Sequence, residues 1–106
     1  MKMLERELEK IFTAEMKKLG GYAYKFVSPG NDGVPDRIAV FPNGKLVFVE
    51  LKADGGTLSA LQIVQIRRLW GLNQIVAVVK GVQGLVEFFR DNGYPEVAAN
   101  LERRYG

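Results

Sequence analysis

Two carboxylates and a lysine stand out in "GVPDRIAVFPNGKLVFVELKAD", the stretch from Gly33 to Asp54. Asp36, Glu50 and Lys52 occupy positions where a strand pair normally carries apolar or neutral side chains. Strand side chains alternate between faces, so Glu50 and Lys52 project to one side of "VFVELK" while Val49 and Leu51 project to the other. The thirteen residues between Asp36 and Glu50 hold a strand, a tight turn and a return strand of matching length. An antiparallel register can therefore bring Asp36 beside Glu50, with Lys52 on the same face. Like charges held close raise one another's pKa, so such a cluster costs free energy unless a cation or a bound phosphate offsets it. A divalent-metal site is one reading. A surface ion pair on an edge strand, where charge discourages aggregation, is the other, and the spacing alone admits both.

Composition narrows the chemistry. The 106 residues include no histidine and no cysteine, which excludes disulfides, thiolate nucleophiles and Ser/His or Cys/His catalysis. Any metal would be held by oxygen ligands, the preference of magnesium, manganese or calcium. A formal net charge of +3 is compatible with a nucleic-acid partner without requiring one. The length fits one domain, residues 1–106. The charged start "MKMLERELEK" does not read as a signal peptide, and no apolar run reaches membrane-spanning length, so the expected location is the cytoplasm.

The elements that must position these residues follow from periodicity. Leu4, Leu8, Ile11, Phe12, Met16 and Leu19 recur at helical spacing, with Gly20 and Gly21 as the stop. "YAYKFV" alternates as a strand and "SPGNDG" breaks it. "DRIAVF" and "KLVFVELK" are strand runs joined by "PNG", a hairpin signal. A second helix, capped by Thr57 or Ser59, carries Leu58, Leu61, Leu69 and Leu72 on one stripe and Ile63, Ile66 and Trp70 on another. "IVAVVK" reads as a buried strand, "LVEFFRDNG" as a short helix and "EVAANLERRY" as a helical tail. The order is α-β-β-β-α-β-α, an α/β fold with a small mixed sheet flanked by helices.

Pro35 and Asp36, followed by Glu50, Leu51 and Lys52, resemble the PD-(D/E)xK nuclease signature. The longer string "SPGNDGVPDRIAVFPNGKLVFVELKADGGTLSALQ" resembles the VRR-NUC (virus-type replication-repair nuclease) branch of that superfamily. The combination "GVPDR…FVELK…LSxLQ" is far more specific than an isolated PD…ExK, and the likeness extends loosely over most of the chain. It implies a restriction-endonuclease-like core. It also implies a magnesium-dependent DNA endonuclease that hydrolyses phosphodiester bonds, with manganese able to substitute and no small-molecule cofactor. Asp36 and Glu50 would be metal ligands, the Leu51 carbonyl a further one, and Lys52 the residue that activates the attacking water.

The resemblance also places a glutamate from the first helix at the metal. Glu5, Glu7, Glu9 and Glu15 compete; Glu5 and Glu9 share the edge of the apolar stripe, and Glu9 is the choice, with Glu5 second. Favourable placement near a helix N-terminus accounts equally well for any one of them. Gln62 matches the family's helix glutamine, and it and Gln65 lie among apolar side chains, where an amide needs a partner. Lys25, Arg37 and Lys45 are placed near the site as phosphate contacts, while Arg67, Arg68, Arg103 and Arg104 fall on helices. Stand-alone members resemble homodimeric Holliday-junction resolvases, so the implied substrate is branched DNA and the implied state a dimer of phage or mobile-element origin. The Ile63–Ile66–Trp70 stripe would be either the dimer interface or buried beneath the C-terminal tail. A flap, nicking or restriction-like nuclease, or a catalytically silent binding module, are the alternatives.

Overall fold

The first helix, α1 (Glu5–Lys18), buries Leu8, Phe12, Glu15 and Met16 and leaves its other side charged. It starts where the Glu7 side chain accepts a bond from the Leu4 amide at 3.0 Å, and acids at its start and lysines at its end complement the helix dipole. Gly20, at φ 91°, takes the left-handed conformation that ends the helix and turns the chain into the sheet. The computed structural model describes residues 3–106.

Strands β1 (Tyr22–Lys25), β2 (Arg37–Val40), β3 (Leu46–Lys52) and β4 (Val76–Lys80) form one sheet in that order. The first three make an antiparallel meander. At the hairpin the Phe41 amide bonds to the Lys45 carbonyl at 2.9 Å, and the Asn43 side chain accepts from the Lys45 amide at 3.0 Å, as "PNG" foretells. Helix α2 (Ala60–Gly71) then carries the chain across so that β4 lies parallel to β3. Its cap is Ser59, not Thr57: the Ser59 hydroxyl accepts from the Gln62 amide at 3.2 Å, and the Gln62 side chain accepts from the Ser59 amide at 2.9 Å.

Period-two alternation gives the sheet two unlike faces. Ala23, Ala39, Val47, Val49, Leu51 and Val79 form the core face. They pack with Leu8, Phe12 and Met16 of α1, with Leu85, Val86, Phe88 and Phe89 of α3 (Gly81–Asp91), and with Ala98 and Leu101 of α4 (Pro95–Tyr105). Phe12 meets Phe88 edge-on at 5.5 Å, and Phe88 meets Phe89 at 5.2 Å, inclined 85°. Helix α2 lies on the opposite face, where Gln62 reaches Glu50.

The mixed α/β fold agrees with the sequence reading, with two differences. Eight elements are present rather than seven, because the C-terminal tail forms α4 as a full helix packed on α3. Helix α3 also starts at Gly81, directly from β4, rather than at Leu85. The tail does not cover α2: Ile66 is buried, but Ile63 and Trp70 are exposed, as are Leu61 and Leu72 of the stripe expected to face inward. No helix among the described residues is long and apolar enough to cross a membrane.

Candidate active site

The site forms where β2 and β3 part. Their last ladder pair is Arg37 opposite Val49, which sets Asp36 and Glu50 across from each other one residue on. Beyond that pair the Leu51 amide bonds not to a β2 carbonyl but to Asp36 Oδ2, at 2.9 Å. A carboxylate thus ends the ladder, and an acidic residue at position 36 is part of the backbone accounting. A strand residue's N–H and C=O point the same way, so the Leu51 carbonyl also faces Asp36.

Glu50 is 2% exposed. Gln62 Nε2 donates to its Oε2 at 2.9 Å, and Lys52 Nζ lies 3.7 Å from the same oxygen. Its other oxygen, Oε1, is buried and has no hydrogen-bond partner. Burial, and then the negative charge of Asp36, push the Glu50 carboxyl up to about 7, against the pull of Lys52. Sharing a proton with Asp36 raises it further, and Glu5 adds a weaker upward push. A buried carboxylate oxygen left without a donor is costly, and a hard cation would satisfy it. Among the described residues no three acidic side chains are gathered closely enough to hold a metal unaided. Two carboxylates and a backbone carbonyl nonetheless suit an ion such as magnesium, which retains several waters when bound.

The four glutamates of α1 have separate fates. Glu7 caps the helix and Glu15 is buried, 3.1 Å from Lys18 and 3.8 Å from Arg104. Glu9, the choice from sequence, is held by Arg37, its Oε2 2.8 Å from Nε. Glu5 is the one whose charge bears on Glu50. Arg37 also donates to the Ala23 carbonyl at 3.3 Å. Lys25 stands opposite Arg37 in the ladder, on the sheet face away from Glu50. Lys45 is not near the site. It sits at the hairpin end of β3, about 16 Å along the strand from Glu50, and lines a cavity with Ile75, Glu87 and Asp91.

Two residues support the site in ways not read from sequence, where Ser59 was named only as a candidate helix cap. Ser59, through its reciprocal bonds with Gln62, fixes the turn from which the Gln62 amide reaches Glu50. Gly33, at φ 89°, presses on the start of α2, where a Cβ would come within 2.5 Å of the Leu61 carbonyl carbon and 2.8 Å of the Gln62 amide. Only glycine fits there, and the "SPGNDG" loop is thereby tied to the helix that carries Gln62. Its place beside "VPD" was the available signal.

No protein-family model matches the chain. It is 48% identical over 75 residues to "Putative nuclease p44" of Acyrthosiphon pisum secondary endosymbiont phage 1, a match covering 71% of this chain and 81% of that protein. A solved structure described as a VRR_NUC domain superposes with a TM-score of 0.68 at 23% identity, covering 98% of this chain and 99% of that one.

Proposed function

We propose that the chain, which has the fold of a VRR_NUC domain and belongs with the phage protein named "Putative nuclease p44", is a magnesium-dependent, structure-selective DNA endonuclease acting as a homodimeric Holliday-junction resolvase. One observation carries the catalytic part: Glu50 is buried beside Asp36 and Lys52 with one oxygen unpartnered. Asp36, Glu50 and the Leu51 carbonyl would hold the ion. Magnesium, when bound, supplies positive charge that acidifies water and offsets the charge gathering on the phosphate. Lys52, on the same strand face as Glu50, would orient the attacking water and stabilise the negative charge that develops on the phosphate oxygens. Gln62 keeps Glu50 in position. Glu5, rather than Glu9, is the α1 glutamate suited to a water on the ion, because Arg37 already occupies Glu9.

The dimer part rests on α2. Ile63, Val64 and Trp70, with Ile75 after the helix, leave an apolar surface beside the edge strand β4. Two active sites presented by a two-fold axis would cut two strands symmetrically.

Purified protein incubated with four-way junctions, flaps and plain duplex in magnesium tests the reading. Paired symmetric cuts confined to the junction are the expected result. Comparable cutting of plain duplex would overturn the resolvase assignment. Lys52→Ala should lose cleavage while retaining junction binding. A wild-type protein that binds but never cuts in magnesium or manganese would leave a binding module.

A further inference from the structure

The catalytic face of the sheet is half covered. Helix α2 meets it over β4 and Glu50, while α1, α3 and α4 gather on the other face. On the β1 side Tyr22 and Tyr24 stand at alternate positions of the edge strand, 47% and 56% exposed, their rings 4.8 Å apart and inclined 57°. They project to the same side as Glu50, because Ala23 between them faces the core.

The register places this pair relative to the site. Tyr24 lies across from Ile38, which lies across from Phe48. The next row on the same face carries Phe26, joined to β2 by its amide bond to the Asp36 carbonyl at 2.9 Å, and then Asp36 and Glu50. With strands about 4.8 Å apart and about 3.4 Å per residue, Tyr24 stands about 12 Å from Glu50 and Tyr22 about 17 Å, Cα to Cα. Phe26, 5.6 Å from Phe48, forms a second aromatic pair between the tyrosines and the carboxylates, with Ile38 beside Tyr24.

We propose that Tyr22 and Tyr24 form a stacking platform for unpaired nucleobases of the strand whose phosphodiester lies at Glu50. The proposal rests on the nuclease reading for its substrate. The two exposed patches differ in kind. The α2 surface is largely aliphatic, with Ile63 and Val64 on the same helix as Trp70, whereas the β1 edge offers two adjacent phenol rings on the sheet face that carries Glu50. Aromatic rings on an open sheet stack on bases of any sequence, each having a π-face. Bases inside a duplex have both faces occupied by their neighbours. A ring platform therefore favours DNA with unpaired or readily opened nucleotides near the cut, as at a branch point or a flap junction.

The test uses wild type, Tyr22→Ser/Tyr24→Ser and Tyr22→Phe/Tyr24→Phe, in calcium so that the DNA stays intact. Each binds a branched substrate carrying 2-aminopurine at its unpaired positions and a fully paired duplex. Wild type should quench the 2-aminopurine. The serine pair should lose the quenching and bind branched DNA about tenfold weaker per tyrosine, with duplex affinity unchanged, and the phenylalanine pair should behave as wild type. Equal weakening on both DNAs, unchanged quenching, or a serine variant that has turned from dimer to monomer would overturn the platform. The nuclease reading fails separately: wild type that quenches yet cuts nothing in magnesium keeps the platform, and wild type that cuts without quenching loses it.

Discussion

The two faces of the sheet are built from alternate residues of the same strands and differ in what they hold. Along β3, Val47, Val49 and Leu51 are at most 1% exposed among carbon neighbours, while Phe48, Glu50 and Lys52 turn toward α2 and the opening. Three helices close the first face and one covers part of the second. A two-residue period thus lets a strand anchor the core and present ionisable groups within a few ångströms of it. Burial makes the carboxyl of Glu50 reluctant to ionise, and the core face supplies the stability that tolerates this. Stability lives on one face and the proposed chemistry on the other.

The largest effect should come from breaking the core face. Phe12→Ala removes a ring with no exposure that contacts Phe88 and Phe89, and it should cost about 3–5 kcal/mol in urea denaturation. Any loss of cleavage should then follow the unfolded fraction.

The catalytic face should show itself in pH dependence. In the folded protein Glu50 titrates at about 7 against an ordinary value of 4.5, so the fold binds its proton more tightly than the unfolded chain does. The Glu50 contribution to metal-free stability should be fully present below pH 4.5 and be lost as pH rises through 7, a change of about 3 kcal/mol. Glu50→Gln should flatten this slope, and magnesium above pH 7 should stabilise wild type but not the variant. A metal-free stability that rises over that interval would contradict the electrostatics of the site.

Next in size is Gln62→Ala. It takes the hydrogen bond from Glu50 without opening the core, and should weaken magnesium binding in calorimetry about 10- to 100-fold. The smallest contrast is between two glutamates. Glu9→Gln disturbs only the half-exposed pair with Arg37, worth about 1 kcal/mol or less, and should leave cleavage near wild type. Glu5→Gln should slow cleavage more than Glu9→Gln does, and the reverse order would restore Glu9 to the metal.

Much of this was legible in the sequence because strands and hairpins are governed by local rules. The "PNG" turn sets the register, and the register alone puts Asp36 across from Glu50. Gln62 was legible because an amide among apolar side chains requires a partner. What the sequence left open depends on long-range competition. Glu5 and Glu9 share a helix edge, and only the docking of α1 on the sheet shows that Arg37 claims one of them. Lys45 was expected near the site, but the length of β3 separates it from Glu50 and Lys52. The second stripe of α2 was visible in the sequence, whereas the failure of α4 to cover it follows from α4 packing on α3.

The separation of the faces is tested most directly by Glu50→Gln, measured for cleavage of branched DNA in magnesium and for thermal midpoint at pH 8 on one preparation. Cleavage should fall by about a thousandfold or more while the midpoint of the metal-free protein holds or rises. A variant that still cuts at the wild-type rate, or one that loses its fold along with its activity, would contradict the account.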